Sequence, residues 1–129
     1  MSPYLKCAVA MKPHILVIDD SEELLEVFSF IFERHNLTVI TADSKHSLNF
    51  QLNKINPDLI LLDVLLHDGD GREICKELKC SETTKDTPVI LMSATPKNLK
   101  NYKDYYADDI IEKPFEFPEL IAKIKLYIR

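Results

Sequence analysis

Four apolar runs in this chain each close on residues that could do chemistry. Ile15-Leu16-Val17-Ile18 ends on Asp19 and Asp20, Leu59-Ile60-Leu61-Leu62 on Asp63, Val89-Ile90-Leu91-Met92 on Ser93, and Asp109-Ile110-Ile111-Glu112 on Lys113. Three carboxylates brought together repel one another, and crowding raises at least one pKa. A divalent cation removes the conflict, and hard carboxylate oxygens with retained waters suit Mg²⁺. A cation among acids also lets a phosphoryl group approach, so that the Asp63 carboxylate could attack phosphorus and form an acyl phosphate. Lys113 would add positive charge from the other side, and Ser93 would offer a hydroxyl donor. Phosphoryl transfer depends mostly on such positioning and charge neutralisation. Taken singly, each residue has a plainer explanation: Asp20 caps a helix, Asp63 caps a turn, Ser93 satisfies a backbone group, Lys113 is a solvated surface lysine. Four complementary endings in one short chain are hard to attribute to capping.

The elements that must position these residues follow from the hydrophobic pattern. Leu59 to Asp63 is entered through Asn56-Pro57-Asp58 and left near Gly69 and Gly71, and reads as a strand buried on both faces. Further strands are expected over residues 14–19 and 37–41, from Pro88 to Ser93, and over residues 109–112. Between them come helical segments. Leu24, Leu25, Phe28, Ile31 and Phe32 have helical spacing behind Glu22 and Glu23, acids that suit a first turn. Asp43 or Ser44 caps a second helix with Leu48, Leu52 and Ile55 inward, stopped by Asn56-Pro57. A loop over residues 64–70 leads to a third helix carrying Ile74, Cys75 and Leu78, and residues 80–87 read as a polar loop. Residues 96–106 predict a fourth helix with Leu99 and Tyr102 inward. A last helix after Pro114 turns Phe117, Leu120, Ile121, Ile124 and Ile128 inward. Five strand–helix repeats imply an α/β fold, a doubly wound five-stranded parallel sheet with helices on both faces. The expected flavodoxin-like order is 2-1-3-4-5. That order puts the first and third strands side by side, so Asp19, Asp20 and Asp63 converge.

Composition sets the bounds. At 129 residues the chain holds one domain with a proper core. It is 46% hydrophobic and 29% charged, the balance of a soluble globular protein. A net charge of −5 without a basic run argues against a nucleic-acid surface in this domain. No apolar stretch approaches membrane-spanning length. Cys7, Cys75 and Cys80 are odd in number and lack metal-ligand spacing, which points to a reducing, cytoplasmic setting, with Cys75 a small core residue. Residues 1–12 lack a sustained period and read as an N-terminal tail, within which Met11 is a candidate start.

Over residues 13–129 the sequence resembles the receiver domain of two-component response regulators. The matching pieces are Ile15-Leu16-Val17-Ile18-Asp19-Asp20, Asp58-Leu59-Ile60-Leu61-Leu62-Asp63-Val64, Asp70-Gly71, Leu91-Met92-Ser93-Ala94, and Ala107-Asp108-Asp109 running into Lys113-Pro114-Phe115. No single piece is specific, but their order and spacing together are. The resemblance implies that Asp63 accepts a phosphoryl group from a phosphohistidine on a sensor histidine kinase or phosphotransfer protein. It implies Mg²⁺ held by Asp20, Asp63 and the backbone carbonyl of Leu65, with Asp19 acting through water. Ser93 and Lys113 would bind the phosphoryl oxygens, small Ala94 would leave the pocket open, and the Lys113–Pro114 peptide would be cis. The implied protein is a cytoplasmic monomer or weak homodimer. It would bind neither nucleic acid nor membrane through this domain, and would do no enzymatic work beyond its own phosphorylation and dephosphorylation.

Three departures from the family pattern matter. His67 stands where proline is usual, so that loop has less built-in rigidity. Tyr106 replaces a frequent glycine. Ile110 stands where the family's switch usually has an aromatic residue, which puts the customary output mechanism in question. The leading alternative is a catalytically silent pseudo-receiver serving as an interaction module. A flavin-binding domain of the same fold would need a phosphate cradle where Asp19-Asp20-Ser21-Glu22-Glu23 would repel phosphate. A dehalogenase-type phosphatase would need an acid where Leu65 or Ser21 stands, and a calcium loop would need an acid at Leu66. The output, whether stand-alone or part of a longer regulator or hybrid kinase, is not written in these residues.

Overall fold

The computed structural model describes residues 12–128. The tail expected over residues 1–12, with Met11 and Cys7, therefore lies outside the described residues except for Lys12. The main sheet comprises β1 (His14–Ile18), β2 (Thr38–Ala42), β3 (Leu59–Asp63), β4 (Val89–Ser93) and β5 (Asp109–Glu112), all parallel, in the order β2-β1-β3-β4-β5. Among the described residues four α-helices cover it: α1 (Glu22–Glu33), α2 (Lys45–Leu52), α3 (Gly71–Lys79) and α4 (Phe117–Tyr127). This is the expected doubly wound sheet.

The side chains of the central strands explain why the sequence shows no alternation there. Leu16, Ile18, Ile60, Leu62 and Leu91 face one core with Leu48 of α2 and Ile74, Cys75 and Leu78 of α3. Ile15, Val17, Leu59, Leu61 and Ile90 face the other, with Leu25, Phe28 and Phe32 of α1 and Leu120, Ile121 and Ile124 of α4. A strand covered on both sides must be apolar at every position. Ile18 pairs with Leu62 and Asp63 with Met92, so the strand register delivers Asp19, Asp63 and Ser93 to one edge of the sheet.

Several expectations need correction. Residues 96–106 do not form an α-helix; two short 3₁₀ turns, Pro96–Asn98 and Tyr102–Tyr105, stand in its place. Leu99 is buried and Tyr102 packs on the same core, as expected, but they are the segment's only inward apolar anchors. Thr95 makes no side-chain cap, and Lys97, Lys100 and Lys103 recur at like-charge spacing. So little support does not offset the cost of nucleating a helix. Helix α2 stops at Leu52, before Asn56-Pro57, so Ile55 lies beyond it. Ile128 is likewise past the end of α4, in extended backbone. The stretch expected as plain loop after Asp63 contains a tight antiparallel hairpin, Leu65–Leu66 against Gly69–Asp70.

Candidate functional site

The site is built where β1, β3, β4 and β5 end. Asp19, Asp20 and Asp63 each offer a carboxylate oxygen, and these oxygens lie within 4.8 Å of one another. Asp19 is buried: its Oδ1 accepts the Ser21 N–H at 2.9 Å and its Oδ2 accepts from Lys113 Nζ at 2.6 Å. Lys113 Nζ also stands 3.5 Å from Asp63 Oδ1. Asp20 is exposed at the rim. Burial, reinforced by Asp19 and opposed by Lys113, pushes the Asp63 carboxyl from its ordinary 3.8 up to about 6. One lysine does not neutralise three acids.

The plainer explanations can now be weighed. Helix α1 is capped by Ser21, whose Oγ accepts the Leu24 N–H at 3.2 Å, so Asp20 does not do that work. The turn after Asp63 closes through backbone, Gly71 N–H to the Val64 carbonyl at 2.7 Å. Lys113 is mostly buried and held between carboxylates, not solvated. Ser93 does satisfy a backbone group, since its Oγ accepts the Thr95 N–H at 3.0 Å, but its own hydrogen remains available to donate.

Lys113 is aimed by its neighbours. Its N–H donates to the Ser93 carbonyl at 2.9 Å, and the Lys113–Pro114 peptide is cis. Phe115 stacks on Phe28 at 6.0 Å and meets Phe117 edge-on at 5.4 Å, anchoring the turn to α1 and α4. A cavity of about 400 Å³, lined by Leu24, Ala94, Lys113, Pro114, Phe115 and Phe117, opens beside the lysine.

The family model for the response regulator receiver domain matches residues 15–125. This chain belongs to the response regulator receiver family. The phosphate regulon transcriptional regulatory protein PhoB of Escherichia coli (strain K12) is 36% identical over 121 residues, covering 92% of this chain and 53% of that protein. The chain thus spans about half the length of the curated relatives it matches. Among solved structures, the signal receiver domain of a signal transduction histidine kinase from Syntrophus aciditrophicus superposes with a TM-score of 0.82 at 28% identity, covering 89% of each chain. The receiver domain of Francisella response regulator 1452 gives 0.80 at 28% identity, over 90% of this chain and 96% of that one. Residues 15–125 are therefore a response regulator receiver domain of a two-component system.

In this receiver domain the expected residues Asp19, Asp20, Asp63 and Lys113 come together, and Ser93 ends the strand beside Asp63. Leu65 lies in the hairpin two residues beyond Asp63, its side chain exposed. Ile110 is half-buried and packs against the same core as Tyr102 and Leu99. Two residues to which sequence reasoning gave no structural role shape the site loop. Gly71 presses on the Asp63 backbone, and Asp68 binds the start of α2. Their trace in the sequence is the Asp68-Gly69-Asp70-Gly71 run, of which Asp70-Gly71 is one of the pieces matching the family while Asp68 reads only as loop. Asp70 caps α3 by accepting the Arg72 N–H at 2.8 Å. Cys75 is buried, and burial pushes its thiol up to about 12, which makes it inert core. No described helix is long and apolar enough to cross a membrane.

Proposed function

We propose that this domain takes a phosphoryl group from the phosphohistidine of a sensor histidine kinase, or of a phosphotransfer protein, onto Asp63 in a Mg²⁺-dependent reaction. The observation that carries this is the convergence of three carboxylates within 4.8 Å with Lys113 bridging Asp19 and Asp63. The donor set fits Mg²⁺: all-oxygen, anionic, partly open to water and under-neutralised by its lysine. Asp20, Asp63 and the Leu65 carbonyl would hold the ion, with Asp19 reaching it through water. When bound, the ion supplies positive charge that offsets repulsion between the acids and the phosphoryl oxygens.

The chain's own residues do the rest. An oxygen of ionised Asp63 attacks phosphorus; the phosphorus–nitrogen bond to the donor imidazole breaks, and the departing nitrogen keeps the electron pair. Lys113 and the Ser93 hydroxyl hold phosphoryl oxygens. Asp19, fixed by Ser21 and Lys113, keeps the lysine in register. The phosphoaccepting unit is residues 13–129. It acts in the cytoplasm as a monomer or weak homodimer, with no nucleic acid or membrane bound by this domain itself.

Incubation with acetyl phosphate and Mg²⁺ should add one phosphoryl mass, labile to hydroxylamine and absent in Asp63→Asn. Asp20→Ala should need far more Mg²⁺ for the same yield. A modification that persists in Asp63→Asn overturns the assignment, and no modification under any donor leaves the silent interaction module as the better reading.

A further inference from the structure

The hairpin after Asp63 is held by a side chain with no part in the chemistry above. His67 and Asp68 form its tip, between Leu65–Leu66 and Gly69–Asp70. The Asp68 carboxylate forks onto α2: Oδ1 accepts the Lys45 N–H at 2.8 Å and Oδ2 the His46 N–H at 3.1 Å. These are two of the amides at a helix start that lack intrahelical partners; Ser44 Oγ takes that of Ser47 at 3.1 Å. The carboxylate also meets the positive end of the α2 dipole. Lys45 completes the grip. A Cβ on Gly69 would stand 3.5 Å from Lys45 Cδ and 3.3 Å from Ile74 Cδ1, so the hairpin lies between α2 and α3. Lys45 Nζ continues across to Glu77 of α3 at 3.5 Å.

We infer that Asp68 is a positioning residue for the metal site: by pinning the hairpin tip to the first turn of α2, it fixes the loop backbone that carries the Leu65 carbonyl. This rests on the reading that Leu65 contributes that carbonyl to Mg²⁺. A proline at position 67 would stiffen the loop by itself; with His67 there, a side-chain anchor one residue on supplies the constraint. Outer partners of metal ligands commonly set affinity this way.

The test uses the full chain with isotope-labelled amides, in wild type, Asp68→Ala, Asp68→Asn and Asp58→Ala. Asp58 is a comparable exposed anchor, accepting the His14 N–H at 2.7 Å at the opposite end of β1. Without metal, Asp68→Ala should speed amide exchange at Lys45 and His46 and also across residues 64–70. Its Mg²⁺ dissociation constant, from chemical-shift titration, should rise roughly tenfold. Asp68→Asn keeps one acceptor oxygen and loses the charge, so it should fall between wild type and Asp68→Ala; it also carries the test if the alanine variant does not fold. Asp58→Ala should leave Mg²⁺ affinity unchanged. Faster exchange confined to residues 45–48 with unaltered Mg²⁺ affinity would make Asp68 a helix cap only. Equal Mg²⁺ loss in the asparagine and alanine variants with no change in the hairpin would make it a bulk charge effect. Either result overturns the inference. If wild type itself shows no Mg²⁺ titration, the functional reading fails first, before any variant is compared.

Discussion

Gly71 leaves no room for a side chain against Asp63: a Cβ there would overlap the Asp63 carbonyl oxygen and come within 2.8 Å of Val64 Cα. The first residue of α3 is thereby packed directly on the backbone of the proposed phosphoacceptor. The Gly71 N–H reinforces this by donating to the Val64 carbonyl at 2.7 Å. The constraint is one of space, because backbone atoms cannot give way as a flexible side chain can. Gly71→Ala should therefore cost about 1–3 kcal/mol in urea unfolding, as overpacking does, and slow acyl-phosphate formation at Asp63. An alanine variant with wild-type stability and phosphorylation rate would show that the contact does not hold the site.

Asp63 predicts an unusual pH dependence of stability in metal-free protein. Its folded pKa, about 6, lies above the ordinary 3.8. The fold thus favours the neutral carboxyl. That favourable contribution is fully present below about pH 3.8 and is lost as the pH rises through about 6. A shift of about two units corresponds to roughly 3 kcal/mol as an upper figure. Asp63→Asn, permanently neutral and of similar shape, should be more stable than wild type by about 1–2 kcal/mol near pH 7.5 in chelator, once solvent screening is deducted, with the gain closing near about pH 4. Mg²⁺ should narrow the difference at neutral pH by stabilising wild type. Denaturant unfolding at the two pH values checks this; a metal-free wild type that is the more stable at neutral pH would refute it.

Tyr106 occupies left-handed backbone, φ 65° and ψ 19°, and the residue is 53% exposed. A residue with a Cβ pays about 1–2 kcal/mol for that conformation, whereas glycine does not. Tyr106→Gly should therefore raise thermal stability by about 1 kcal/mol, after the greater freedom of glycine in the unfolded chain is deducted. The same substitution at Asn36, also left-handed at φ 61°, should gain less, because asparagine tolerates the region. Tm values for the two variants decide the point.

The segment after β4 is the expected route of any switch. Ile110 is β-branched, with few χ1 choices and no long ring to swing between buried and exposed states. Ser93 Oγ holds the Thr95 N–H, so a shift of that hydroxyl toward a phosphoryl group pulls on the head of the 3₁₀ segment. At the segment's far end the Arg72 guanidinium stands 5.7 Å from the centre of the Tyr105 ring. Amide exchange with and without beryllofluoride, an acyl-phosphate mimic, should change most over residues 94–108, with Tyr102 and Tyr105 as reporters. Changes confined to Asp63 and its loop would mean that the domain relays the phosphoryl group without a propagated switch.

The fold was legible where burial acts on every residue of an element. β3 and β4 are buried at each position from Leu59 to Asp63 and from Val89 to Ser93, so their composition had no freedom to mislead. A strand buried that thoroughly and ending on a polar residue delivers that residue to the sheet edge, which made Asp19, Asp63 and Ser93 readable as a group; Lys113 follows the edge strand β5, where only Ile111 is buried, and was legible from its place after an apolar run.

Tertiary structure alone decided the features that rest on partners distant in sequence or on the balance of weak terms. Residues 96–106 carry the apolar spacing of a helix turn, yet only packing could reveal that Leu99 and Tyr102 are too few to stabilise one. Ser21 takes the cap of α1 and leaves Asp20 at the rim, a choice between adjacent residues that composition does not make. The seat of Gly71 on the Asp63 carbonyl and the reach of Asp68 to Lys45 and His46 depend on where separate elements meet in space. Local pattern specifies which residues a strand or helix must bury. Distances between elements are set only when all of them pack together.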